Sequence, residues 1–186
     1  MKRGNEMENT IVYDIRNPMP KDKFAKLFDI MESSFPKNEH GSAELHFKEM
    51  SRPEFRSLCY EPDGLPAAFM NYYYFPEQEL IFLEHFAVKQ ELRGKGIGAQ
   101  LMNVLKELTS PSMIVLEVEP PEGEFERRRI SFYQRQGFYL NNGDYFQPDF
   151  YGSDSKLPLK LMSTEPMDDA QFDEVMKFIH KRAYLR

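Results

Sequence analysis

Apolar positions fall into two rhythms along the chain. Phe24, Leu27, Phe28 and Met31 recur at helical spacing and predict a helix opened by Asp22 as N-cap and closed at Pro36. A polar, aromatic-containing loop spans Phe35 to Gly41, and a second helix is expected between Ser42 and Met50. Then the rhythm turns strand-like. A short strand is already predicted at 11–16, and Arg56 to Glu61 and Leu65 to Phe75 flank the turn Pro62-Asp63-Gly64 as an antiparallel hairpin. Tyr72, Tyr73 and Tyr74 alternate across two faces, so at least one of them should face the core. After the turn at 76–79, Leu80 to Val88 (LIFLEHFAV) and Met113 to Val118 (MIVLEV) are strongly apolar and read as buried strands. A helix is predicted between them over about 98–108. A charged amphipathic helix follows over 124–136, closed by Gly137. Short strands are expected near 138–140 and 157–162, and a tail helix over 168–184 through Phe172, Val175, Met176 and Ile179. Repeats, low-complexity tracts and linkers are not apparent, so residues 1–186 read as one mixed α/β domain.

The connection between the two buried strands carries the chemistry. Arg93-Gly94-Lys95-Gly96-Ile97-Gly98 joins a strand to a helix start. Glycines let the backbone approach a ligand and take positive φ, and the first helical turn offers free N–H groups and the positive end of a dipole. Such a unit suits a phosphorylated ligand, and Arg93 and Lys95 add positive charge. Gly94, Gly96 and Ala99 also satisfy a loose dinucleotide fingerprint, with Glu117 further on. That fingerprint starts directly at a strand end, whereas Lys89 to Arg93 intervene here, and the hairpin upstream is no βαβ unit. A nucleotide P-loop fails as well, because no Gly-Lys-Ser/Thr follows.

Composition narrows the classes. The 186 residues are 41% hydrophobic and 14% aromatic, enough for a folded core. A net charge of −6 argues against general nucleic-acid binding and mildly favours a cationic substrate. The lone Cys59 cannot form an internal disulfide and reads as a small buried apolar residue. The polar first ten residues lack the apolar stretch of a signal peptide, and no run approaches a membrane span, so a cytoplasmic protein without a membrane partner is expected.

Val88 followed by Arg93-Gly94-Lys95-Gly96-Ile97-Gly98 resembles the Arg/Gln-x-x-Gly-x-Gly/Ala signature of the GNAT acetyltransferase superfamily. Ile130-Ser131-Phe132-Tyr133-Gln134-Arg135-Gln136-Gly137-Phe138 resembles that family's second motif, a helix carrying Phe-Tyr and ending in Gly-Phe. Leu116-Glu117-Val118 stands between them, and the resemblance is firmest over Leu80 to Leu140. It implies an α+β fold, with a mixed, mostly antiparallel central sheet flanked by helices and a splayed parallel strand pair. Strand 80–88 should carry a bulge and part from strand 113–118. The implied cofactor is acetyl-CoA. Backbone groups of Phe86, Ala87 and Val88 would pair with its pantetheine arm. Amides of Arg93, Gly94, Lys95, Gly96, Ile97 and Gly98 would hold its pyrophosphate. The chain departs from the pattern in lacking the Asn common before the tyrosine helix, where Arg127, Arg128 or Arg129 could compensate.

The implied reaction is acetyl transfer to a primary amine of a small molecule or peptide, by direct attack in a ternary complex. It needs a base for the ammonium, a donor for the thioester oxygen and an acid for the leaving sulfur. Tyr133 matches the family's general acid, and a backbone N–H near Val88 the oxyanion donor. Glu84 lies mid-strand in an apolar run, where a carboxylate is costly unless paired, solvated or used. Glu117 matches a position where members acting on protein N-termini carry a base, so both carboxylates stand as candidates. His85, next to Glu84, should point to the opposite face as a structural histidine. The substrate side should come from 35–40 and 71–75. No metal is expected, and the state is monomer or homodimer. The alternative class is an acyl-CoA-binding module of this fold that has lost turnover.

Overall fold

The computed structural model describes residues 7–36, 40–148 and 156–184. Residues 37–39 of the expected loop 35–41 lie outside them. The described strands are β1 (Thr10–Tyr13), β2 (Phe55–Tyr60), β3 (Ala68–Phe75), β4 (Leu80–Val88), β5 (Met113–Val118), β6 (Tyr139–Leu140), β7 (Tyr145–Pro148) and β8 (Lys156–Ser163). The helices are α1 (Lys21–Ser34), α2 (Ala43–Glu49), α3 (Ile97–Thr109), α4 (Glu124–Arg135) and α5 (Asp169–Arg182). Hydrogen-bonded neighbours run β1-β2-β3-β4-β5-β8-β6, with β7 also on β8. The sheet is open and mixed, and β4 with β5 is its parallel pair. Among the described residues no helix is long and apolar enough to cross a membrane.

Residue contacts divide the chain into two compact units, Met1–Tyr74 with Glu84–Ser110, and Phe75–Leu83 with Pro111–Arg186. In the first, β1 and β3 flank β2 antiparallel, with Thr10 opposite Tyr60 and Tyr60 opposite Ala68. Gly64 turns that hairpin at φ +76°, a conformation costly to any residue with a Cβ. The core gathers Phe24, Leu27, Ile30 and Met31 from α1 with Tyr13, Cys59, Phe69 and Ala87. Each of the phenylalanine, leucine, isoleucine and methionine side chains among them, taken fully from water, is worth about 1.5–3 kcal/mol. Helix α1 begins one residue before the expected cap. Pro20 holds the N-cap position, and Asp22 lies in the first turn, where its charge meets the positive end of the helix dipole. Phe35 is extended, as the residue before a proline must be. Ser42 caps α2 by accepting from the Leu45 N–H.

In the second unit, β4 and β5 pair through Leu80↔Met113, Ile81↔Ile114, Phe82↔Val115 and Leu83↔Leu116. This register covers four of the nine residues of β4. Strand β8 runs antiparallel to β5 and on its other edge receives β6 and β7. The sequence pattern does not announce β7, because four residues ending in proline after Asn141-Asn142-Gly143 read as a turn. Helix α4 buries Ile130 and Tyr133, and Gly137 closes it at φ +80°. Asp168 opens α5 with a reciprocal capping box to Gln171.

Candidate functional site

The glycine loop adopts the backbone its composition demands. Gly94 and Gly96 have φ of +77° and +80°, and Gly96 is the N-cap of α3. No side chain caps that helix, so its first-turn N–H groups are left to an outside acceptor. A Cβ built on Gly94 or on Gly96 would meet no atom within 4 Å. The glycines are therefore demanded by backbone conformation, while the space beside them stays open. This cradle fits an anionic ligand such as a pyrophosphate. Arg93 behaves differently from a simple phosphate cation. Its Nε donates to the Val88 carbonyl at 2.9 Å and its Nη2 to Ser34 Oγ at 3.1 Å, clipping the loop to β4 and α1.

Glu84 lies in the same unit, with its side chain only 4% exposed. Its Oε2 stands 3.3 Å from His85 Nδ1. Strict strand alternation would send these neighbours to opposite faces, yet Glu84 Oε2 and His85 Nδ1 meet. His46, from α2, joins them: one ligand-type atom each of His46, Glu84 and His85 lie within 4.8 Å of one another. The His46 Nε2 donates to the His40 carbonyl at 2.6 Å, and burial pushes this imidazole down to about 4, so it is neutral at neutral pH. Neither His46 Nδ1 nor Glu84 Oε2 has a hydrogen-bond partner, although both are buried. Burial raises the Glu84 carboxyl, but its neighbours, His85 above all, outweigh this and hold it below the ordinary carboxylate range. Phe35 and His46 both meet the His85 ring edge-on at 5.1 Å. On the adjoining strand Tyr73 donates to Glu49, which also pairs with Arg52 at 3.1 Å. Tyr72 and Tyr73 are buried, so two of the three consecutive tyrosines serve the interior.

In the second unit Glu117 is fully engaged. Tyr145 donates to its Oε1, Gln147 to its Oε2 at 2.9 Å, and the Tyr184 hydroxyl lies within 2.9 Å of both oxygens. Tyr133 is buried against Phe132 and Phe138, and burial pushes its phenol up to about 12. Arg129 pairs with Glu119, Arg128 with Glu124, and Arg127 donates to the Pro121 and Glu122 carbonyls. All three arginines thus have protein partners.

His46, His40 and Glu49 are what the sequence reading missed around Glu84. Three of the four histidines in the chain meet in this region, and the helical spacing of α2, once its start at Ser42 is fixed, is the signal that could have turned His46 inward.

Comparison with known proteins adds an independent line. Residues 24–138 match the family model described as acetyltransferase (GNAT) family. A solved candidate GNAT acetyltransferase from Bacteroides thetaiotaomicron superposes with a TM-score of 0.79, at 33% identity over 88% of this chain and 92% of that one. An aminoglycoside 6'-N-acetyltransferase solved with coenzyme A shares the fold, with a TM-score of 0.59 at 18% identity over 86% of this chain and 99% of that one. YjbC of Bacillus subtilis (strain 168), a candidate acetyltransferase, is 38% identical over 60 residues, or 31% of this chain and 30% of that protein.

Proposed function

The chain belongs to the GNAT acetyltransferase family, and on that premise we propose that it is an acetyl-CoA-dependent N-acetyltransferase acting on a primary amine of a small molecule or peptide. The observation that carries the cofactor half of this reading is the pair of positive-φ glycines at an uncapped helix start, with open space where side chains would stand. Amides from Arg93 to Gly98 would hold the pyrophosphate, with the Lys95 charge beside them, while the Arg93 guanidinium keeps the loop in place. Backbone groups of Phe86, Ala87 and Val88 would bind the pantetheine arm. Acetyl-CoA, when bound, supplies an activated acetyl thioester.

Of the two candidate bases, Glu84 is favoured. A base needs a lone pair free to take a proton. Glu117 has committed both oxygens to hydrogen bonds from Tyr145, Gln147 and Tyr184, whereas Glu84 Oε2 faces the His85 imidazole at 3.3 Å and makes no shorter hydrogen bond. In this reading Glu84 takes the proton from the acceptor ammonium, which then attacks directly. A backbone N–H near Val88 steadies the thioester oxygen, and Tyr133 gives its proton to the departing sulfur. Tyr133 suits that duty because burial keeps it a phenol far above neutral pH. Glu117 becomes a structural carboxylate. The buried, unbridged thiol of Cys59 fits a cytoplasmic setting.

Calorimetric titration with acetyl-CoA, with NADH and ATP as controls, tests the cofactor. Selective micromolar binding is expected, and its absence would overturn the reading. Thiol release from acetyl-CoA against polyamines, aminoglycosides, amino acids and peptides then tests turnover. Binding without release for any amine would point to the non-catalytic module instead.

A further inference from the structure

We propose that His46, Glu84 and His85 form a site for one divalent cation of the zinc type. Two imidazoles and one carboxylate are a donor set that suits Zn2+ and neighbouring late transition metals, while Mg2+ prefers oxygen. The candidate donor atoms lie within 4.8 Å of one another, and all three side chains are buried. The 3.3 Å between Glu84 Oε2 and His85 Nδ1 is about the donor separation that a tetrahedral ion with bonds near 2.0–2.1 Å imposes.

The hydrogen bonding of His46 points the same way. A carbonyl oxygen can only accept, so the 2.6 Å contact to His40 fixes the proton on Nε2. The Nδ1 lone pair is then left buried and without a hydrogen bond, and Glu84 Oε2 is likewise buried, with His85 Nδ1 3.3 Å away. A metal-bound histidine usually donates its second nitrogen to a carbonyl or carboxylate, and His46 has that arrangement already in place. Leaving the His46 Nδ1 acceptor buried and unsatisfied costs free energy that coordination would recover. Nearby charge supports a cation too, since Glu49 and Glu84 carry two carboxylates against the single Arg52.

Occupancy has a consequence that rests on the reading of Glu84 as base. A cation bound to Glu84 Oε2 takes the lone pair that would accept the substrate proton. The metal would therefore silence acetyl transfer, and a chelator would restore it.

The test uses the full chain stripped of metal and titrated with Zn2+ alone, with Mg2+ as control, in competition with a chromophoric chelator. One Zn2+ per chain is expected, with no uptake of Mg2+. His46→Gln, checked for folding by circular dichroism, should bind Zn2+ at least about tenfold more weakly. Absence of stoichiometric Zn2+ uptake, or unchanged affinity in a folded His46→Gln, would overturn the site. Co2+ provides a readout that needs no variant. The wild-type protein should give the visible absorption of a low-symmetry four- or five-coordinate ion, and a spectrum of hydrated Co2+ would overturn the proposal. Thiol release in zinc-buffered solution separates the two readings. Zinc bound one-to-one with undiminished turnover would keep the site and remove Glu84 from the role of base.

Discussion

At the scale of the residue, two carboxylates that look alike in the sequence have opposite surroundings. Glu117 is held by two phenols and an amide, so it orders β7 and the end of the chain around β5. Glu84 is buried beside the His85 imidazole, and its Oε2 makes no hydrogen bond shorter than that 3.3 Å pairing. Glu84→Gln should therefore lower kcat by about a hundredfold or more, the usual share of a general base, with little change in acetyl-CoA affinity. Glu117→Gln should instead leave kcat within a few-fold and lower stability by about 1–3 kcal/mol, because the change pits an amide donor against three existing donors. Steady-state kinetics and urea unfolding of the two variants decide this, and the reverse pattern would reassign the base. Tyr133→Phe keeps the packing against Phe132 and Phe138 and removes only the proton. It should cut kcat by about a hundredfold while acetyl-CoA affinity stays within twofold, and unchanged turnover would take Tyr133 out of the acid role.

At the scale of the element, the strand–loop–helix unit β4–α3 depends on two positive-φ glycines. In Gly96→Glu the new side chain would enter open space, so the structural penalty is the left-handed conformation, about 1–2 kcal/mol. Its charge would stand at the helix start proposed for the pyrophosphate. Calorimetry should find acetyl-CoA binding abolished while circular dichroism finds the fold retained, and normal affinity would refute the phosphate site. This unit was legible beforehand because its glycines, cations and flanking apolar strand are all local in sequence. Strand β7 was not, since its four residues owe their conformation to hydrogen bonds with β8. The start of α1 shows the same balance at smaller scale: Asp22 is a good capping residue, yet the fixed φ of Pro20 takes the position.

At the scale of the whole molecule, buried acids, Cys59, Tyr72 and Tyr133 among them, make folding sensitive to alkali. Burial pushes Cys59, Tyr72 and Tyr133 each up to about 12, from ordinary values of 9.0 for the thiol and 10.0 for the phenols. Each folded-state value is raised, so the native chain keeps protons that the unfolded chain releases. Their contribution is whole below about pH 9 and falls as pH rises towards 12. The slope approaches about 1.4 kcal/mol per pH unit for each group that has lost its proton only in the unfolded chain. Urea unfolding followed from pH 7 upward should be flat with respect to these groups to about pH 9 and then decline. Cys59→Ala should delay that onset to about pH 10, where the phenols of the unfolded chain begin to ionise. A wild-type profile still flat at pH 11 would contradict the burial of all three.

By itself the sequence determined the order of the main elements, the two buried apolar strands, the glycine turn and the family. These rest on periodicity, on the φ freedom of glycine and on motifs contiguous in the chain, all of which a linear reading can see. Tertiary structure alone decided the fate of the acidic and imidazole side chains. Glu117 met Tyr145, Gln147 and Tyr184, the last of them 67 residues away, and became satisfied. Glu84 met His46 from a helix far upstream and stayed partly unsatisfied. Hydrogen-bond satisfaction and burial are properties of neighbours brought together by folding, and only the folded chain assigns which carboxylate has a lone pair to use.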